Sequence, residues 1–396
     1  MDLKMKNKIF WNLIILLLIL PFEDVLPQSS GTESYITTAV PFLTITPDSR
    51  AGAMGDVGVA TTPDCFSLHW NAAKYAFIDG KTGVALAYTP WLRAIVPDMN
   101  IAYLTGYYRL DSKQTIAASL MYNSLGELDF RDDFGQVTIN SFKANEFAID
   151  GSYSRLFSDH FSGGIALRFI YSNLTGGMIA TGTETKPGIS FAADLSGYYT
   201  RDIELSGKTG QIRAGINFSN IGSKLSYTDA RDPDFIPMNM RLGTSGTLNL
   251  DSYNSITLSL DLNKLLVPTP PKYDISKKDS IISGKNPHVG VPVAIFQSFH
   301  DAPGGLKEEL HEITYSFGAE YWYNKQFALR CGYFYEDASK GNRKNFTAGA
   351  GVRMNIFTLD FSYLMALAQN SPLARTIRFT LSFDFNSLRN VSKSRG

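Results

Sequence analysis

The chain has 396 residues, with 37 basic and 37 acidic side chains and a formal net charge of zero. Nucleic-acid binding needs a basic surface, so this neutral balance argues against a nucleic-acid partner. The two cysteines, Cys65 and Cys331, lie too far apart in sequence to indicate a disulfide framework or a metal-binding motif. We expect neither a metal nor a cofactor.

The first 30 residues are predicted to be a cleaved signal peptide. Three lysines among the first eight residues precede a largely apolar stretch at residues 9–20, and Pro21 follows it. This stretch is shorter than the ~20 apolar residues that a spanning helix needs, and an uncleaved anchor is the alternative. No long apolar run follows residue 20, so a mature protein embedded in a membrane would have to be a β-barrel.

From about residue 84 the sequence alternates between apolar and polar residues, which predicts β-strands with one apolar face. In the last strand Ile377, Phe379 and Leu381 share one face, and Arg378 and Thr380 share the other. Fourteen segments show this alternation, an even number, as in bacterial single-chain barrels. The predicted strands are 84–92, 101–109, 114–123, 145–156, 162–173, 188–200, 210–219, 239–248, 255–265, 313–322, 326–336, 345–355, 357–367 and 374–385.

The polar face of these strands favours a transmembrane antiparallel barrel over a soluble β-sandwich. It carries Ser, Thr, Gly and Asn with scattered Arg and Asp, and lysine is nearly absent from the middle of the strands. A charge facing lipid would cost ~2–4 kcal/mol at the bilayer midplane, so the charges are predicted to face the lumen. There they either line a permeation path or, in the preferred interpretation, pair with one another. These lumen charges are Asp150, Arg168, Asp194, Arg213, Arg330, Asp360 and Arg378.

The predicted connections are mostly long after odd-numbered strands and short after even-numbered strands. Outer-membrane barrels have short periplasmic turns and long outer loops. With the N-terminus on the periplasmic side, the long connections, among them 124–144 and 266–312, are predicted to be extracellular. The barrel then spans residues 84–385, with an N-terminal segment at 31–83 and a tail at 386–396.

Residues 49–74 contain three glycines at three-residue spacing: Gly52, Gly55 and Gly58. A phosphate-binding loop needs a Gly-Lys-Ser/Thr ending before a helix, and a dinucleotide site needs G-x-G, and neither is present. Small residues instead let one backbone press closely against another, which predicts a hatch inside the barrel lumen. The hatch residues predicted to make these contacts are Gly52, Ala53, Met54, Gly55, Gly58, Trp70 and Asn71, the last two fixing its end to the wall.

The chain offers no set of catalytic groups. Its five histidines are scattered, and the G-x-S-x-G motif of a nucleophilic serine is missing. The segment 266–312 is the remaining distinctive feature, because loops of this length are usually functional or disordered. Its prolines stiffen the chain, and its apolar residues predict a partner-binding surface, with a lid over its own barrel as the alternative. The residues assigned to this surface are Pro268, Pro270, Pro271, Ile295, Phe296, Phe299 and Pro303.

The stretch SRAGAMGDVGVA followed by HWNAAK resembles the hatch of the FadL-like outer-membrane barrels, whose pattern is A-M-G-x-x-G-x-A and then W-N-P-A. Ala72 stands where that pattern has proline, which suggests a hatch set as a seal rather than as a moving gate. Within the family, the stretches AVPFLTITPDSRAGAMGDVGVAT, KLLVPTPP and SFHDAPGGLKEEL are similar to the PorV/PorQ group in order and spacing. The likeness covers essentially the whole mature chain.

This resemblance implies a non-enzymatic outer-membrane component of the type IX secretion system of Bacteroidota. Such proteins associate with a large translocon barrel (SprA/Sov-like) and receive cargo through its C-terminal signal domain. They pass the cargo to an attachment complex of PorU-like, PorZ-like and PorQ-like proteins, which links it to lipopolysaccharide in the outer-membrane lipid layer. The segment 266–312 is the candidate for entering the translocon's lateral opening. FadL-like proteins also pass hydrophobic compounds, and uptake of such molecules is the alternative function.

Overall fold

The structure, a computed structural model, describes residues 35–385 except 93–95, 97, 132–136, 177–178, 181–182, 230–232, 275–279 and 369–370. The predicted signal peptide and the predicted tail lie outside the described residues.

Fourteen antiparallel strands form a closed barrel, which confirms the predicted fold class and strand number. The barrel closes where the first strand pairs with the last, from Gly83 opposite Asp384 to Tyr88 opposite Phe379. The strands are β1 Thr82–Pro90, β2 Asn100–Arg109, β3 Gln114–Arg131, β4 Val137–Leu156, β5 Phe161–Asn173, β6 Gly188–Leu205, β7 Lys208–Gly222, β8 Asn239–Asn249, β9 Asn254–Leu265, β10 Thr314–Tyr323, β11 Phe327–Tyr335, β12 Lys344–Met354, β13 Phe357–Ala366 and β14 Ile377–Asp384.

The predicted loop at 124–144 is wrong in most of its length, because β3 and β4 continue through it as a paired hairpin. Glu127 still pairs with Lys143, and Phe130 pairs with Ile139. The ladder shifts register between Ser124 and Glu127, where Gly126 has a φ of 83°. A bulge of this kind moves alternate residues onto the other face, and it obscures the periodicity on which the strand prediction relied.

The wall has apolar residues outside and polar residues inside. The outward Leu86 and Leu167 are 50% and 65% exposed, whereas the inward Asp150 and Arg168 are 4% and 7% exposed. An apolar outer face contacts the hydrocarbon of a membrane without leaving polar groups unpaired. This pattern is what the alternation in sequence predicts for a transmembrane barrel.

The described helices are few and short. They belong to the N-terminal segment and to the connection between β9 and β10. Before β1 they are the 3₁₀ helix Pro41–Thr44, α1 Ser49–Gly52, α2 Ser67–Trp70 and the 3₁₀ helix Ala72–Phe77. The connection between β9 and β10 contains the strand pair Lys272–Tyr273 and Ile281–Ser283, then α3 Val291–Gln297 and α4 Leu306–His311. None of the described helices is long and apolar enough to cross a membrane.

The two ends of the barrel differ, as the sequence predicts. Short turns join the strands at one end, at 110–113, 157–160, 206–207, 250–253, 324–326 and 355–356. The other end carries most of the long connections, among them 174–187, 223–238 and 266–313.

The N-terminal segment begins at the long-connection end, contrary to the expectation that the chain enters from the side of the short turns. The Ala39 amide donates to the Phe235 carbonyl at 2.8 Å, within the connection 223–238. The chain then descends through the lumen, and near the short turns the Arg109 guanidinium donates to the Ile78 carbonyl at 3.0 Å. The described residues before β1 fill the lumen. The chain reaches the short-turn end only after them, where β1 starts.

Candidate functional site: the hatch and the long surface segment

The hatch, residues 49–74, lies directly on glycines of the wall. Gly55 has a φ of 68°, and a Cβ there would lie 2.7 Å from the backbone of Tyr333. From the other side, a Cβ on Gly332 of β11 would lie 2.1 Å from the Gly55 nitrogen. Gly318 and Gly349 face Met54 and Ala53 in the same way, at 2.7 and 2.5 Å. The small residues are therefore matched on both sides of the contact.

The other two hatch glycines make room for large side chains. A Cβ on Gly52 would lie 2.9 Å from the Arg378 guanidinium of β14, and one on Gly58 would lie 2.1 Å from the Trp70 ring. Gly52 thus packs on the wall, whereas Gly58 packs on another part of the hatch.

Wall side chains accept hydrogen bonds from the hatch backbone. The Gly55 amide donates to Thr347 Oγ1 at 2.9 Å. The amides of Gly58 and Val59 both donate to Asp261 Oδ2, at 2.7 and 3.0 Å. Sequence analysis did not single out Asp261 as a hatch contact, although its inward position in β9 was visible.

The end of the hatch is fixed through Asn71 and serines of the wall. Asn71 Nδ2 donates to the carbonyls of Val59 and Gly197, both at 3.0 Å, so it joins the hatch to β6. The hydroxyls of Ser154 and Ser162 donate to the carbonyls of Ala72 and Ala73 at 2.6 and 2.7 Å. These bonds hold the chain where the FadL-like pattern has proline.

Trp70 contacts both the hatch and the wall. Its indole Nε1 donates to Asp48 Oδ1 at 2.8 Å. The Arg241 guanidinium of β8 lies over its ring, 4.8 Å from the centroid, in a cation–π arrangement.

An ionic network joins the hatch to β10 and β11. Arg50 forms a bidentate pair with Glu320, at 2.9 and 2.7 Å, and also contacts Asp64 at 2.8 Å. Glu320 in turn accepts from Arg330 at 2.7 Å, and Arg330 pairs with Asp360 at 2.6 Å. Arg50 and Glu320 were not predicted as site residues from the sequence, although a lone charge within a run of small residues was the available signal for Arg50.

The other predicted lumen charges fall into a second cluster and two single sites. Arg168 pairs with Asp150 at 2.5 Å and with Asp194 at 3.3 Å. Arg213 instead donates to Thr247 Oγ1 at 2.8 Å, and Arg378 donates to the Thr46 carbonyl at 3.2 Å. Most of these charged side chains thus bond to other protein groups instead of lining an open path.

Burial shifts the protonation of several hatch groups. Desolvation raises the pKa of Asp48 to about 6, although its carboxylate accepts from the Ala51 amide. Desolvation lowers the pKa of Lys74 to about 8; its ammonium donates to the Gly58 carbonyl and to Thr61 Oγ1, both at 2.9 Å. Burial also raises the pKa of the Cys65 thiol, which disfavours the thiolate that a nucleophile would need. No three His, Cys, Asp or Glu side chains in the described part of the chain form a group suited to a metal.

The long surface segment, residues 266–312, has an ordered base made of buried charges. Lys264 pairs with Glu309 at 3.0 Å and with Glu312 at 2.6 Å. The Thr269 hydroxyl donates to Glu312 at 2.6 Å, and Lys340 of the next connection also pairs with Glu312, at 3.0 Å. The segment is therefore attached both to β9 and to the neighbouring connection.

The predicted partner-binding residues divide between the base and the surface of this segment. Pro268 and Pro271 are buried, and Pro270, Ile295 and Pro303 are half-buried. Phe296 and Phe299 are 74% and 44% exposed. Other exposed apolar side chains on the same segment are Ile282, Val293, Leu306 and Leu310.

Solved structures similar in fold include the toluene transporter TodX of Pseudomonas putida, at 12% identity and a TM-score of 0.46. That match covers 84% of this chain and 96% of that one. A FadL homologue of Pseudomonas aeruginosa matches at 10% identity and a TM-score of 0.43, over 89% of this chain and 100% of that one. No curated protein sequence matches significantly. The family model described as "Type IX secretion system protein PorV" matches residues 28–272.

Proposed function

The chain belongs to the PorV family of type IX secretion system proteins, and on that premise we propose that it docks on the translocon barrel through the long surface segment. It receives cargo by the C-terminal signal domain and carries it to the attachment complex at the cell surface. It acts in the outer membrane as a transport component, without catalysing a reaction itself.

The observation that carries the docking role is the exposed apolar surface on an ordered base. Phe296 and Leu306 are 74% and 75% exposed, although both belong to a segment whose base is held by buried, paired charges. An apolar surface held in place loses little conformational entropy on binding, and aromatic residues at such positions often dominate binding energy. The underside of the segment packs inward, since Leu266, Val267 and Ala294 belong to the apolar cluster around the N-terminal segment. The segment thus covers the barrel mouth with one side and offers its other side to a partner.

The hatch supports a carrier in preference to an uptake channel. Opening a path through the lumen would break the bonds of Asp261, Asn71 and the Arg50–Glu320 pair together. In the alternative function a hydrophobic compound would pass this hatch, and its passage would require all of these bonds to open. Uptake of a fatty acid or an aromatic hydrocarbon into liposomes that contain the barrel would favour the alternative.

Co-purification of the translocon from native membranes tests the docking role. Phe296→Glu combined with Leu306→Glu should abolish co-purification and cargo export, because two charges would be buried against the partner. These changes leave the base network intact, whereas deletion of 268–304 would remove Thr269 and Asp301, which bond to the base.

Lys285→Glu is the matched control, because it adds a negative charge at an exposed polar position of the same segment. It should leave co-purification unchanged. Normal translocon recovery and normal export with the double variant would rule out docking through this surface.

A further inference from the structure

A polar cavity of about 290 Å³ lies in the lumen between the hatch and the long surface segment. Its size is near the lower end of the ~300–1,000 Å³ common for small-molecule sites. Its floor includes Trp70 and Asp56 of the hatch, and its walls include Arg241, Asn263 and Phe334. The cavity has no part in the docking role.

Most charges around the cavity are paired with each other. Both carboxylate oxygens of Glu336 accept hydrogen bonds from the Arg343 guanidinium, at 2.7 and 2.8 Å. Glu312 is shared by Lys264 and Lys340. Each of these charged groups therefore has at least one partner of opposite sign.

Arg241 is the exception among the cations. It is only 7% exposed, and its Nε has no hydrogen-bond partner among the described residues. Its guanidinium stacks on Trp70, and the described carboxylates that act on it electrostatically, Asp261 and Asp56 foremost, do so from beyond ion-pair distance. The nearby Asp261 accepts from hatch amides through Oδ2 alone, and its Oδ1 has no hydrogen-bond partner among the described residues. A buried guanidinium needs hydrogen-bond acceptors, so it is suited to receive a carboxylate.

Asp56 is the matching exception among the anions. It lines the same cavity from the hatch side, and its Oδ1 is buried with no hydrogen-bond partner in the described part of the chain, although Arg241, Arg343 and Arg378 act on it electrostatically. Its φ of 66° is a conformation that Asp and Asn tolerate better than other side chains. Asn263 Oδ1, also on the cavity, is another buried acceptor without a described partner.

We propose that this cavity binds a zwitterion of the free α-amino-acid type. The ligand carboxylate pairs with Arg241, and its ammonium group pairs with Asp56 and the Asn263 amide oxygen. Phe334 and Leu265 supply apolar contact for a small side chain. A zwitterion supplies hydrogen-bond partners to both Arg241 Nε and Asp56 Oδ1 without changing the net charge of the lumen, whereas a simple anion would leave Asp56 Oδ1 without one. Because Asp56 belongs to the hatch and Arg241 to the wall, the bound ligand would tie one to the other.

Isothermal titration of the full-length barrel in detergent tests this site with four probes. Glycine and leucine are zwitterions, N-acetyl-leucine keeps only the carboxylate, and leucine amide keeps only the ammonium group. At least one zwitterion should bind, and each half-ligand should bind roughly tenfold or more weakly than leucine, because it leaves one buried polar group without a hydrogen-bond partner. No binding by either amino acid, or equal binding by N-acetyl-leucine and leucine, would overturn the proposal.

Two conservative variants give a crossed pattern that loss of folding cannot imitate. Arg241→Gln should weaken leucine and N-acetyl-leucine and spare leucine amide. Asp56→Asn, which suits the positive φ, should weaken leucine and leucine amide and spare N-acetyl-leucine. Arg213→Gln, which changes a lumen arginine away from the cavity, is the control and should change none of the three. Unchanged leucine binding in Arg241→Gln, or an equal loss for all probes in both variants, would contradict the site.

Discussion

At the residue scale, the closeness of the hatch to the wall depends on glycine on both sides of the contact. Gly332 is a wall residue with ordinary strand geometry, so its own backbone does not require glycine. A Cβ at Gly332 would lie 2.1 Å from the backbone of Met54 and of Gly55. Backbone atoms cannot move aside as a flexible side chain can, so any larger residue there must displace the hatch.

Gly332→Val should therefore open a leak through the barrel. The valine would push Met54 and Gly55 off β11 and break the Gly55 bond to Thr347. Conductance of the purified barrel in planar bilayers measures this, with the wild type closed and the variant conducting. Gly151→Val is the control, because no atom lies within 4 Å of its Cβ position. A closed Gly332→Val barrel would show that the hatch is not held by this contact.

Asp48 gives the hatch a pH dependence of predictable sign. Desolvation raises its pKa from 3.8 to about 6 in the folded protein, so the folded state binds the proton more tightly than the unfolded state. The contribution of protonated Asp48 to the free energy of unfolding is fully present below pH ~4. It is lost as the pH rises through ~6, a change of about 3 kcal/mol. Asp48→Asn cannot ionise, and its free energy of unfolding in detergent should lack this fall between about pH 4 and about pH 7. Parallel pH curves for the variant and the wild type would contradict the assignment.

At the element scale, the sequence predicts the strands well because each wall strand separates lipid from a polar lumen. Ile377 and Phe379 against Arg378 and Thr380 encode that difference residue by residue. The hatch is visible through its three glycines, since only small residues permit such contact. The base of the long surface segment was not visible, because Lys264, Glu309 and Glu312 meet through the fold and not through any local pattern.

The Arg50–Glu320 pair should be the strongest single link between the hatch and the wall. Glu320→Gln leaves Arg50 and Arg330 together without their shared carboxylate, and breaking a buried pair costs ~3–5 kcal/mol. Opening of the hatch can be followed by alkylation of the buried Cys65 in a Cys331→Ser background. The rate should rise on the order of a hundredfold if the hatch opens before it reacts. Glu204→Gln, at an exposed position, is the control, and equal rates in both variants would exclude the pair as a link.

At the scale of the whole molecule, the path of the N-terminal segment is the main departure from the sequence prediction. A segment that precedes the first strand was expected on the side of the short turns. Instead Ile36 and Thr44 line the same cavity as Glu312 and Lys340 of the long connections. Sequence order gave no sign of this, because the apolar cluster that holds the segment, which includes Phe42, Leu43 and Leu266, joins distant parts of the chain.

This path predicts which parts of the barrel are reached from outside intact cells. Single cysteines at Tyr35 and Lys285, both exposed, should react with a membrane-impermeant maleimide on intact cells, in a Cys331→Ser background. A cysteine at Ser252, in a short turn, should react only after the outer membrane is permeabilised. The Tyr35 site carries the test, because an N-terminal segment that enters from the periplasm would make it behave like Ser252. Labelling of Lys285 without labelling of Tyr35 would therefore contradict the path through the lumen, while leaving the orientation of the barrel itself intact.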